Sequence, residues 1–196
     1  MKTNDNLKFA LHTAVLVEKQ SFDFYMYAAN MVNNNNTGKL FKLLASEEAE
    51  HLGAFHRLYQ EHKFGNLQDL IDLPTDFNTP IYHALLASVD VNSQVREALE
   101  IALREEKACL KTYSDLASAF SDSGVRNIFE QALRETRKHC EIIQAEYMRV
   151  LCLPGTSDNV QETPNLIVIN PKREDAGFTS RLTSKFQRLL TGLGHR

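Results

Sequence analysis

The sequence predicts an all-α fold, a four-helix bundle made of two duplicated helical hairpins joined by a long crossover and followed by a C-terminal arm. Three observations predict it. The five prolines fall at positions 74, 80, 154, 164 and 171, which leaves residues 1–73 and 81–153 free of the strongest helix breaker. Each of these stretches is split once by a polar, turn-forming cluster, Asn33 to Gly38 in the first and Ser121 to Gly124 in the second. The second stretch also repeats the first at a fixed offset of 88 residues.

The elements follow in order. Helices are expected near residues 6–32, 38–62, 92–119 and 124–152, and together they make a bundle domain over 1–152. Residues 63–91 form the crossover, too long for a tight turn but long enough to run the length of a bundle, with short helical pieces around Ile81 to Ala87. Two short loops and one long crossover give the ferritin-like topology. After Leu153 the Pro, Gly and Asn punctuation ends helix, so residues 153–196 read as an arm. Its last segment, SRLTSKFQRLL, sets Leu182, Phe186, Leu189 and Leu190 opposite Arg181, Lys185 and Arg188, a short basic amphipathic helix. Packing of the arm on its own bundle or on another subunit is the first reading. Docking of residues 179–196 to a membrane surface or a protein shell is the other.

Composition bounds the function. The chain has 196 residues, 43% of them apolar, and a formal net charge of −3, which suits one domain with an ordinary core. With 22 Lys and Arg against 25 Asp and Glu and no basic block, nucleic acid is not an expected partner. No run approaches the ~18 apolar residues of a membrane span, and MKTNDNLKFALHTAV is too polar for a signal peptide, so the expected compartment is the cytoplasm. Cys109, Cys140 and Cys152 are odd in number and contain no CxxC, so they read as reduced thiols.

The repeat carries the chemistry. At the offset of 88, Ala10, Leu11, Ala14, Glu18, Lys19, Tyr25, Ala29, Phe41, Glu47, His51 and Tyr59 meet identical residues, 11 identities over 50 positions, against roughly three expected from average composition. Glu18 lies 3, 4, 7 or 11 residues from Leu11, Ala14, Val15, Phe22, Tyr25 and Ala29, inside an apolar stripe. Glu48 and His51 share a stripe with Phe41, Leu44, Ala45, Leu52 and Phe55, Glu106 with Leu99, Ala102, Leu103, Leu110 and Tyr113, and His139 with Ile128, Ala132, Ile142 and Ile143. Facing carboxylates in a core cost several kcal/mol each unless a cation sits among them. No Lys or Arg occupies those stripes, so the missing charge is most simply a metal ion. Carboxylate oxygens with two imidazoles favour iron or manganese over structural zinc.

The segments VEKQSFDFYMYAA, FKLLASEEAEHLGAF, REEKACLKTYSDLA and IFEQALRETRKHC resemble the four metal-binding helices of the rubrerythrin-like branch of the ferritin-like superfamily, over about residues 6–152. The resemblance implies a non-haem di-iron site held by Glu18, Glu48, His51, Glu106 and His139; the donor chemistry leaves manganese as the other candidate metal. It also implies oxidation of ferrous iron by peroxide or oxygen, and a homodimer. Where the family's second Glu-x-x-His is expected, this chain has Thr136 before His139. Glu135 projects about 40° from His139 around the helix and Thr136 about 60°, so Glu135 is expected to turn inward as the substitute ligand. Cys109 stands where rubrerythrins proper carry an additional glutamate. No rubredoxin-like segment with paired CxxC motifs is present, so the resemblance implies an external electron donor such as a rubredoxin-type protein.

Tyr25 and Tyr113 follow Glu18 and Glu106 by seven residues, two helical turns, and their hydroxyls can support ligand carboxylates or simply pack. Glu47, Glu50 and Glu105 read as solvated helix faces, and His12, His56, His62, His83 and His195 as incidental. The alternatives to the oxidoreductase are a di-iron hydroxylase of an organic substrate and a non-catalytic metal-sensing or interaction bundle with a degenerate second site.

Overall fold

The computed structural model describes residues 2–59, 64–78, 82–83 and 91–152. The arm, most of the short helical pieces expected around Ile81 to Ala87, His62 and His195 lie outside the described residues. Five helices are described: α1 (Lys2–Met31), α2 (Asn35–Leu58), α3 (Leu67–Ile71), α4 (Val91–Ala119) and α5 (Ser123–Leu151). α1 pairs with α2 and α4 with α5 as hairpins; α1 meets α4, and α2 meets α5, across the two halves. Among the described residues no helix is long and apolar enough to cross a membrane.

Side chains set the hairpin turns. The Asn34 side chain accepts from the backbone N–H of Asn36 and Thr37, both at 3.1 Å, so the asparagine cluster starts α2 inside itself, at Asn35 rather than at Gly38. Asp122 does the same for α5 by accepting from Val125 N–H at 2.9 Å. α2 ends at Leu58, short of the expected 62. Gly65 follows with φ +67°, a left-handed conformation that favours glycine, and its carbonyl lies 3.1 Å from His56 Nε2. α3, not expected from periodicity, is closed by a reciprocal cap in which Asn66 and Asp69 each accept the other's backbone N–H.

The core divides along the bundle axis. One cluster, around Tyr25, Phe41, Leu44, Leu99 and Ile143, fills the end bounded by the α1–α2 turn. The other, around Leu11, Val15, Leu52, Phe55, Leu116 and Phe129, fills the opposite end. Between them each long helix contributes polar side chains to one middle layer: Glu18 from α1, Glu48 and His51 from α2, Glu106 from α4, and Thr136 and His139 from α5. Ile142, expected in the His139 stripe, is instead 40% exposed, whereas Ile143 is fully buried.

Candidate metal centre

Glu18, Glu48, Glu106 and His139 are each only 3% exposed, so four ionisable groups share a space closed to bulk water. Their atoms converge as two overlapping groups, Glu18–Glu48–His51 and Glu48–Glu106–His139, each offering one ligand atom per residue within 4.8 Å of the others. Glu48 belongs to both. His51 Nδ1 lies 3.2 Å from Glu48 Oε2 and 3.7 Å from Glu18 Oε2. His139 Nδ1 lies 3.2 Å from Glu48 Oε1 and 3.3 Å from Glu106 Oε1. The imidazole rings are nearly parallel, with centroids 5.7 Å apart.

The donor set fits a pair of hard divalent ions. His139 Nδ1 is buried with two carboxylate oxygens beside it and no aligned hydrogen bond, so it points into the same space as they do. A buried nitrogen left in that condition is unfavourable unless something else occupies the common point. Oxygen-rich sites with one imidazole per ion suit iron or manganese.

Without metal, protons do part of the same work. Burial, with the Glu48 charge and hydrogen bond beside it, pushes the Glu18 carboxyl up to about 8. Burial acts on Glu48 in the same sense, but the neighbouring Glu18 carboxyl and the His139 and His51 imidazoles outweigh it and hold Glu48 below its ordinary value. Burial would lower both histidines, yet the facing carboxylates win, raising His51 to about 10 and His139 to about 11. The metal-free centre is thus an anionic cluster neutralised by imidazolium.

The tyrosines act across the halves. Tyr25 on α1 donates to Glu106 Oε1 at 2.5 Å, and Tyr113 on α4 donates to Glu18 Oε1. Burial and the adjoining carboxylates hold both phenols well above their usual range, so they remain donors. Tyr113 therefore fixes Glu18 Oε1 and leaves Oε2 facing His51, while Tyr25 fixes the same Glu106 oxygen that faces His139 Nδ1.

Glu135 does not enter either group. Its Oε2 lies 3.1 Å from His51 Nε2, on the far side of that ring from the carboxylate cluster, and Gln131 donates to its other oxygen at 3.2 Å. Thr136 is buried with its hydroxyl donated to the Ala132 carbonyl at 2.9 Å, so it supplies no replacement. Glu47 stays 42% exposed on its helix face and also accepts from His139 Nε2 at 2.9 Å. Cys109 is buried, and burial with the nearby Glu106 and Glu18 charges pushes its thiol well up, which keeps it protonated. Lys19 is buried yet engaged elsewhere, 2.5 Å from Asp23 Oδ1 and donating to the Leu73 carbonyl at 3.0 Å, where it ties the crossover to α1.

A family model described as rubrerythrin matches residues 9–147, the whole span that builds this centre. No curated protein and no solved structure matches the chain.

Proposed function

Because the chain belongs to the rubrerythrin family, we propose that it is a non-haem di-iron oxidoreductase that couples oxidation of ferrous iron to reduction of peroxide or oxygen, in oxidative-stress defence or iron handling in the cytoplasm. The observation that carries this reading is the convergence of three buried glutamates and two histidine Nδ1 atoms on one enclosed layer. Glu18 and His51 would hold one ion, Glu106 and His139 the other, and Glu48 would join them.

When bound, two ferrous ions supply the two electrons that, with two protons, turn one peroxide into two waters. The protein's contribution is geometry and exclusion. Tyr25 and Tyr113 hold the outer carboxylates in place, and the apolar clusters above and below the layer keep bulk water away from it. For repeated turnover the reading calls for a separate donor protein of rubredoxin type, and for a homodimer as the working unit.

Thr136 supports a second reading, a metal-sensing bundle without turnover, because it leaves Glu48 as the one carboxylate common to both groups. Anaerobic loading with ferrous iron, metal analysis and addition of peroxide under an absorbance monitor separate the two. The expected result is about two irons per chain and rapid growth of ferric absorbance, with about one peroxide consumed per two irons. Bound iron that peroxide leaves ferrous would support the sensor, and a chain that retains no iron would sink both readings.

A further inference from the structure

A pair of crossed contacts lies on the outer edges of the two imidazoles. Glu47 on α2 meets His139 on α5, and Glu135 on α5 meets His51 on α2, at 2.9 and 3.1 Å, both through Nε2. The four residues are two repeat-related pairs, since 47 and 135, like 51 and 139, are separated by the 88-residue offset. The repeat thus places a carboxylate beside Nε2 twice, as a hydrogen bond for Glu47 and His139 and as a close ion-pair approach for Glu135 and His51, and each half of the protein supplies the partner for the other half's histidine.

We infer that Glu47 and Glu135 are positioning residues for the metal centre, each accepting the Nε2–H of the opposite half's histidine so that Nδ1 is the nitrogen presented to the ion. The inference rests on the metal-binding reading above and extends it to two residues outside both ligand groups. Two observations and one general property of histidine support it. The Glu47 and Glu135 side chains are 42% and 32% exposed, and ion pairs at that exposure contribute little to folding, so stability alone gives weak reason for both. A histidine that donates one ring N–H to a carboxylate has its tautomer and ring plane fixed, with its other nitrogen free to bind. The two Nδ1 atoms face the shared Glu48 from its two oxygens, 3.2 Å from each, an arrangement that rotation of either ring would destroy.

The inference assigns Glu135 a part different from that of a replacement ligand. Its carboxylate is committed to the far side of His51, so the position lost at Thr136 stays without a carboxylate.

The test compares the wild-type chain with E47A, E135A, the double variant, E47Q and E135Q. Co2+ affinity is read by competition with a chromophoric chelator, the ligand-field spectrum of the Co2+-loaded protein reports ring orientation, and the melting temperature of metal-free protein reports folding. Each alanine variant is expected to bind Co2+ about 10- to 100-fold more weakly, with an altered spectrum and nearly unchanged metal-free melting. The double variant is expected to be weaker than either single one. Glutamine keeps an acceptor oxygen, so E47Q and E135Q are expected to recover most of the affinity. Alanine variants that bind as tightly as wild type, or that melt earlier while binding normally, would overturn the positioning role. A wild-type chain that takes up no Co2+ would overturn the metal reading and this inference with it.

Discussion

A Thr136→Glu variant is expected to hold its second metal ion at least tenfold more tightly than the wild-type chain, a gain of about 1.4 kcal/mol, and to be the less stable of the two when stripped of metal. Residue 136 is the repeat partner of Glu48, and it sits buried in the layer where Glu48 alone belongs to both ligand groups. The threonine hydroxyl is already committed to the Ala132 carbonyl, so nothing it now gives the centre is lost by replacement. A glutamate there would restore a second shared carboxylate. Without metal the same side chain adds a buried anion to a cluster that two imidazolium groups already neutralise, at a cost of several kcal/mol. Thr136→Val is the matching control: it preserves shape, removes the hydroxyl and is expected to leave metal affinity unchanged. The check is chelator competition beside thermal melting with and without metal. A Thr136→Glu chain that binds no more tightly than Thr136→Val would show that this position does not face the ions.

Metal uptake is expected to release about three protons per chain near pH 7, and affinity is expected to climb steeply as pH rises from 6 to 8. The groups are His51, His139 and Glu18, held protonated in the metal-free protein by shifts to about 10, 11 and 8. A metal ion must displace each of these protons before it can use the lone pair beneath. Stability of the metal-free chain runs the opposite way. The histidines have raised folded values, so their contribution is complete below the ordinary imidazole value of 6.5 and is lost as pH rises through about 10 to 11. Glu18 adds in the same sense, its contribution being complete below 4.5 and lost as pH rises through about 8. Alkali should therefore loosen the metal-free protein while tightening its hold on metal. Calorimetric titration with Mn2+ in buffers of different ionisation enthalpy counts the protons, and a pH-independent affinity with no proton release would refute the arrangement.

Much of this was legible before any coordinates. Glu18, Glu48, Glu106 and His139 lie inside apolar stripes, and a helix that must bury its stripe has to bury them too, so their convergence followed from periodicity plus duplication. The helix ends were less legible because local hydrogen bonds set them. Asn34 caps α2 from within a cluster that composition marks as loop, and α3 is held by the Asn66–Asp69 reciprocal cap over too few residues for periodicity to register. The outer edges of the histidines were the largest gap. The repeat matches Glu47 with Glu135, yet helical angles alone put one on a solvated face and turn the other inward as a ligand, since an angle around one helix does not say which ring nitrogen on a neighbouring helix a carboxylate will meet. Burial of Lys19 is illegible for a similar reason: Asp23 lies one turn along α1, but the Leu73 carbonyl reaches the ammonium only when the crossover folds back on that helix.

The most direct measurement is anomalous X-ray diffraction from crystals of the chain loaded with Mn2+ or Fe2+. Two peaks within the bundle are expected, one among Glu18, Glu48 and His51 Nδ1 and one among Glu48, Glu106 and His139 Nδ1. Anomalous density confined to the molecular surface, with this layer empty at saturating metal, would contradict the account.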